Sequence, residues 1–97
     1  MALYISLNSF TDQGIRNLKD TIKRTDAARE MAKKLGVTLK EVYWTLGNYD
    51  MLSIIEAPDD ASMAAFQASV GALGNIRTQT LRAFSQGDMK GILAKLG

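Results

Sequence analysis

The chain switches repeatedly between a hydrophobic period of two and one near 3.6. Ala2 to Phe10 alternates: Leu3, Ile5 and Leu7 fall on one face, and Tyr4, Ser6, Asn8 and Phe10 on the other. That is the pattern of a strand with one wholly apolar face. Thr11 and Asp12 are helix-capping types, so a helix is expected to start near Gln13. Ile15, Leu18 and Ile22 then recur at helical spacing, and Ala28, Met31 and Leu35 continue the stripe after a polar gap at Thr25. The spacing predicts a helix over Gln13 to Leu35, interrupted near Arg24-Thr25 and stopped by Gly36.

Val37 to Leu46 reads as a second strand, with Val42, Trp44 and Leu46 on one face and Glu41, Tyr43 and Thr45 on the other. The turn Gly47 to Asp50 joins it to an aliphatic third strand, Met51 to Ala57, which is too short for an ordinary helix. Gly47 supplies a permissive backbone there, and Asn48 tolerates left-handed geometry. Pro58-Asp59-Asp60 ends the strand and caps a helix over Ala61 to Leu73, with Met63, Phe66, Val70 and Leu73 as its core stripe. After Gly74-Asn75 comes a last strand, Ile76 to Phe84, in which Thr78, Thr80 and Arg82 alternate with Arg77, Gln79, Leu81 and Ala83. Ser85 to Gly97 holds a short amphipathic helix whose Met89, Ile92, Leu93 and Leu96 are expected to pack on the body.

The order β-α-β-β-α-β plus a C-terminal helix predicts an α+β fold. It is a ferredoxin-like sandwich, a four-stranded antiparallel sheet with both helices on one face. The face expected to stay uncovered bears Tyr4, Ser6, Phe10, Ser53, Ile55, Thr78 and Thr80. A second subunit is its economical cover, so at least a homodimer is expected. The second helix lacks charge from Asp60 to Arg77 and offers only Ser62, Ala65, Gln67, Ala68, Ser69 and Ala72 on its outer side. That side is expected to lie under the C-terminal helix or under another subunit of a larger assembly.

Length and composition narrow the class. The 97 residues, 46% hydrophobic and 23% charged, make a single domain, 1–97, that is neither disordered nor membrane-spanning. A net charge of +2 is too weak to argue for nucleic acid. Seven of the twelve basic residues lie between Arg16 and Lys34, but Asp20, Asp26 and Glu30 stand at ion-pair spacing beside them, as on an exposed helix face. The N-terminus has no signal-peptide pattern and no apolar run approaches a membrane span, so a cytoplasmic protein without membrane or nucleic-acid partner is expected. With no cysteine and no histidine, a Ser–His or Cys–His nucleophile is impossible within this chain, and no metal site or cofactor is expected.

Three segments taken in order carry a resemblance: Leu46-Gly47-Asn48-Tyr49-Asp50, Glu56-Ala57-Pro58-Asp59-Asp60, and Leu73 to Phe84. With Tyr4-Ile5-Ser6-Leu7 and Thr11-Asp12-Gln13-Gly14-Ile15, they closely resemble the GYD domain family, which takes its name from a Gly-x-Tyr-Asp turn. The family is similar to the dimeric α/β-barrel proteins, in which two ferredoxin-like sheets pack face to face. The resemblance therefore implies a fold and an assembly, and no particular reaction. The same turn, with the Thr-x-Thr strand, also resembles the ligand-binding domain of the feast/famine transcription regulators, which bind amino acids between subunits. Because the sequence opens directly on the first strand, the DNA-binding helix-turn-helix of those regulators is not expected.

No catalytic constellation stands out. Asp50, Glu56, Asp59 and Asp60 cluster in sequence, but capping and turn closure account for them. The candidate ligand-binding residues are Tyr4, Ser6, Asn8, Trp44, Tyr49, Asp50, Thr78, Thr80 and Arg82, expected around a site between the sheet and the helices or between two sheets, with Tyr49 and Asp50 at a cleft mouth and Arg82 on the uncovered face. Arg82 there would need a carboxylate from a partner or an anionic ligand. The readings in play are a small-molecule-binding or oligomer-forming module taking a small anionic or aromatic ligand, a cofactor-independent oxygenase or isomerase, and a purely structural subunit.

Overall fold

The computed structural model describes all 97 residues. Strand β1 (Ala2–Phe10) leads into a short helix α1 (Asp12–Arg16), a 3-10 turn (Leu18–Asp20) and helix α2 (Thr21–Lys34). Strands β2 (Thr38–Trp44) and β3 (Met51–Ala57) form the hairpin, followed by helix α3 (Asp60–Ala72), strand β4 (Ile76–Ala83) and helix α4 (Gln86–Ala94). The sheet order is β2-β3-β1-β4 and every pairing is antiparallel. This is the ferredoxin-like arrangement expected from the element order. Gly47 turns the hairpin at φ 102, and because only glycines have positive φ, Asn48 does not adopt left-handed geometry.

The two sheet faces are the reverse of the expectation. Tyr4, Ser6, Asn8, Ser53 and Ile55 are buried beneath α2 and α3, while Leu3, Ile5, Leu7, Leu52 and Ile54 lie on the open side. Both faces of β1 carry enough apolar surface to be a core, so alternation alone does not say which one the helices cover. The right-handed crossovers decide it, by placing both helices on the side to which Tyr4 and Ile55 point. The core is Tyr4, Ala32, Val37, Leu39, Ile55, Ala57, Met63 and Phe66.

The helical expectations shift for a related reason. The break falls at Asn17 to Asp20, not at Arg24-Thr25, and α2 starts afresh at Thr21. Its inner side is therefore Thr21, Thr25, Ala28 and Ala32, small residues that let the helix sit close on the sheet. Ile15, Leu18 and Ile22, expected in the core, are exposed. In α3, Met63 and Phe66 are buried as expected, whereas Leu73 lies past the helix end and is exposed.

Helix α4 does not pack on the body as expected. No residue in it is buried, and its Met89 and Leu93 face solvent. Ser85 and Asp88 close a reciprocal capping box that starts the helix without tertiary help. Nor does α4 cover the outer side of α3, where Ala65 and Ala68 are exposed. The radius of gyration is 14.6 Å, against roughly 12.5 Å for a compact chain of this length. The accessible surface, 6406 Å², likewise exceeds the roughly 5,500 Å² typical of a compact 10.6 kDa monomer.

Candidate functional site

Beneath the helices, the sheet floor does not close completely. A cavity of ≈ 80 Å³ lies between α2, α3 and the inner sheet face. That is roughly five to eight times the space one water needs. Its walls are apolar, with Val42, Met51, Ile55, Met63 and Phe66 among them. Its floor is polar: Ser6, Asn8 and Ser53 come from neighbouring positions on β1 and β3, and Thr78 pairs with Asn8 from β4.

These polar groups hold one another. Ser6 Oγ donates to Asn8 Oδ1 at 2.9 Å, and Asn8 Nδ2 lies 3.4 Å from Ser53 Oγ. Asn8 is only 3% exposed, so a missing partner would cost about 1–3 kcal/mol. The rim is built by two segments distant in sequence. Thr11 Oγ1 donates to the Gly74 carbonyl at 2.6 Å, and Gln13 Nε2 reaches Leu73 O and Asn75 Oδ1, both at 3.0 Å. Gly14 lies against Asn75 so closely that a Cβ on it would stand 2.1 Å from the Asn75 carbonyl oxygen. Here glycine is required by contact, not by backbone angle.

Arg24 sits at this rim. Its guanidinium donates to the Asn17 carbonyl at 2.6 Å and to Gly14 O at 3.4 Å, which fixes it across the break between α1 and α2. It is the one charged residue among the 20 that line the cavity. The ion pairs of the chain are Arg29–Asp26, Lys33–Glu30 and Lys40–Glu56, so Arg24 has no carboxylate partner. Beside it, Thr21 Oγ1 accepts from Trp44 Nε1 at 3.0 Å and keeps its own proton for another acceptor.

The residues expected to form one site separate into four places. Ser6, Asn8 and Thr78 line the cavity. Tyr4, Thr80 and Arg82 share that sheet face but lie outside the cavity lining. The Tyr4 hydroxyl donates to Asp60, and that bond, with burial and the charge of Asp60, raises the Tyr4 hydroxyl above its ordinary value. Thr80 donates to Gln67. Arg82 is exposed and, like Arg24, has no carboxylate partner; it lies 4.6 Å from the Phe84 ring centroid and 5.5 Å from that of Tyr4, and donates to the Leu3 carbonyl at 3.1 Å. Trp44 stays at the sheet edge on Thr21.

Tyr49 and Asp50 have structural work. Asp50 Oδ2 accepts the Phe10 backbone N–H at 2.9 Å, tying the hairpin to the end of β1. The Tyr49 hydroxyl donates to Gln79 at 2.7 Å across the open face. Asp59 caps α3 by accepting from Ser62 N at 2.7 Å, which lowers its carboxyl below the ordinary value.

Arg24 and Thr21 were missed because Arg24 stands in a run of basic residues that reads as a solvated helix face. The available signal was the polar gap at Thr25, which marks the inner side of α2.

A four-stranded antiparallel sheet carrying its helices on one side, with a polar-floored cavity between the layers, defines a ferredoxin-like α+β domain. The chain belongs to the GYD domain family, whose profile matches residues 4–93. It is 30% identical over 90 residues to the glutamine synthetase and cystathionine beta-lyase binding protein of Thermus thermophilus, covering 92% of this chain and 95% of the relative. Among solved structures, a protein from Thermus thermophilus superposes with a TM-score of 0.57 at 23% identity, over 88% of this chain and 95% of the other. MtbAldR superposes with a TM-score of 0.69 at 12% identity, over 88% of this chain and 54% of its own. These structural likenesses concern the fold. No helix of the chain is long and apolar enough to cross a membrane.

Proposed function

We propose that the chain is a small-molecule-binding module that works as a homodimer. The observation that carries the binding reading is the cavity, whose polar floor of Ser6, Asn8, Ser53 and Thr78 lies under apolar walls. Few convergent polar groups in an apolar recess is the usual make-up of a ligand site. No acid or base lines it apart from Arg24, which supports binding over proton-transfer chemistry. A fragment screen read by backbone-amide NMR tests this. Shifts should cluster at Ser6, Asn8 and Thr78, and Ala28→Leu, which fills the cavity, should abolish them while keeping or raising the melting temperature. Shifts confined to other surfaces defeat the reading.

The dimer reading rests on the other sheet face. Leu3, Ile5, Leu7, Leu52, Ile54 and Leu81 form a continuous aliphatic patch with polar groups at its edge, including the Lys40–Glu56 pair at 2.8 Å. A second copy presenting the same patch gives a dimeric α/β barrel. Light scattering should return twice 10.6 kDa, and Leu7→Asp should return the monomer. A larger assembly through the small-residue outer side of α3 would shrink on Ala65→Glu with Ala68→Glu.

A second reading, docking on an enzyme, is favoured by the detached α4 with its exposed Met89 and Leu93, and by the relative whose name describes binding to two enzymes. Titration with purified glutamine synthetase, with and without Leu93→Glu, separates it from the first.

A further inference from the structure

Taking the cavity as a ligand site, we infer that its ligand is a short apolar monocarboxylate without an ammonium group, anchored by Arg24 and Thr21. Arg24 is half-buried and is held by the carbonyls of Asn17 and Gly14, so its remaining N–H groups are already oriented. Carbonyls satisfy its geometry but do not neutralise its charge, and no carboxylate of the chain does either. A planar fork with free donors matches a carboxylate in both geometry and charge. The uncommitted Thr21 hydroxyl proton at the same rim supplies a further donor.

The rest of the cavity sets the body of the molecule. Behind Arg24 and Thr21 the walls are Ala28, Val42, Val70 and Phe66, which suit a branched aliphatic or small aromatic group. The absence of any aspartate or glutamate from the lining argues against an α-amino acid. Its ammonium would be desolvated with only hydroxyl and amide oxygens to meet it, next to a like-charged guanidinium. A carboxylate lacking that ammonium meets no such penalty.

The test uses three molecules on the full-length protein: 4-methylpentanoate, 4-methylpentanamide and leucine, titrated by calorimetry and by backbone-amide NMR. The acid should bind roughly 10- to 100-fold more tightly than the amide, as expected for a charge-assisted bond. Leucine should bind no better than the amide. Arg24→Met should remove the preference for acid over amide while leaving the amide affinity in place. That readout matters because a variant that merely loosens the rim would weaken both molecules together. If Arg24→Met fails to fold, Arg24→Lys, which keeps charge but loses the fork, and Thr21→Val should each narrow the acid-to-amide ratio. Equal binding of acid and amide at the cavity overturns the anion assignment and leaves the cavity reading standing. Leucine binding as tightly as the acid overturns the exclusion of ammonium. Failure of all three to bind overturns the ligand class, and the broader binding reading then rests on the fragment screen alone.

Discussion

The two faces of one sheet are built from opposite materials, and the more polar one is the buried one. On β1 the covered side carries Tyr4, Ser6 and Asn8, and the open side Leu3, Ile5 and Leu7. A covered face must fit two helices and satisfy every polar group it contains. Here hydroxyls and an amide bond one another on the floor while Ile55, Phe66 and Met63 supply apolar contact. The open face carries no helix, and its aliphatic side chains need no such network of hydrogen bonds. Polarity along a strand therefore does not mark the wet side: here the helices cover the more polar face.

Ile54 and Ile55 break or sharpen that contrast most directly, because they are sequence neighbours on opposite faces. Ile55 is 2% exposed, so Ile55→Ala should cost about 2–5 kcal/mol in chemical denaturation at any protein concentration. Ile54→Ala should cost far less in dilute protein, and its effect should grow with concentration as a dimer forms. Equal, concentration-independent losses would mean that the two faces are not different in kind.

Asn8→Ala should come next, at about 1–3 kcal/mol, because Ser6 and Ser53 then lose a buried partner. Its readout is the denaturation midpoint at constant slope. A neutral result would show that water already serves the floor. Gly14→Ala addresses the rim that closes the covered side. With a methyl forced to 2.1 Å from the Asn75 carbonyl oxygen, α1 must shift, at a cost of about 1–3 kcal/mol. It should also disturb the amide signals of Asn75 and Arg24, which both touch Gly14, and a shift of the whole of α1 would carry the disturbance on to Asn17.

The smallest expected effects are those of pH. Asp59 and Asp88 have carboxyls held below the ordinary value by the backbone N–H groups they cap. Their contribution is fully present above the unfolded carboxylate value, about 4, and is lost as pH falls through their lowered values. Tyr4 runs the other way. Its hydroxyl is raised, chiefly by the bond to Asp60, so its contribution is complete below about 10 and fades as pH rises through the raised value. Thermal melts across both limbs should show shallow losses, and Tyr4→Phe should reduce the alkaline one, to which Tyr43 and Lys40, raised by their bonds to Glu41 and Glu56, also contribute, while leaving the acid one unchanged.

What local pattern determines is set by short-range physics. The alternation of β1 and β4, the Gly47 turn, the Asp59 cap and the element order are all legible in sequence, because each depends on a few adjacent residues and backbone sterics. The GYD segments were legible too, since they are contiguous. The sheet face chosen by the helices was not, because both faces of β1 are apolar enough and only the hand of the crossovers distinguishes them. The break at Asn17 was hidden for a similar reason. It lies beside Gly14, which docks against Asn75, a contact across 61 positions of chain, and with the helix divided there Ile15, Leu18 and Ile22 all face outward. The carbonyls of Asn17 and Gly14 at the same break hold Arg24, out of a run of surface cations, on the rim of the cavity. Local patterning made the elements; the long-range contacts between them decided which side faces inward and where the one unpaired charge of the cavity would stand.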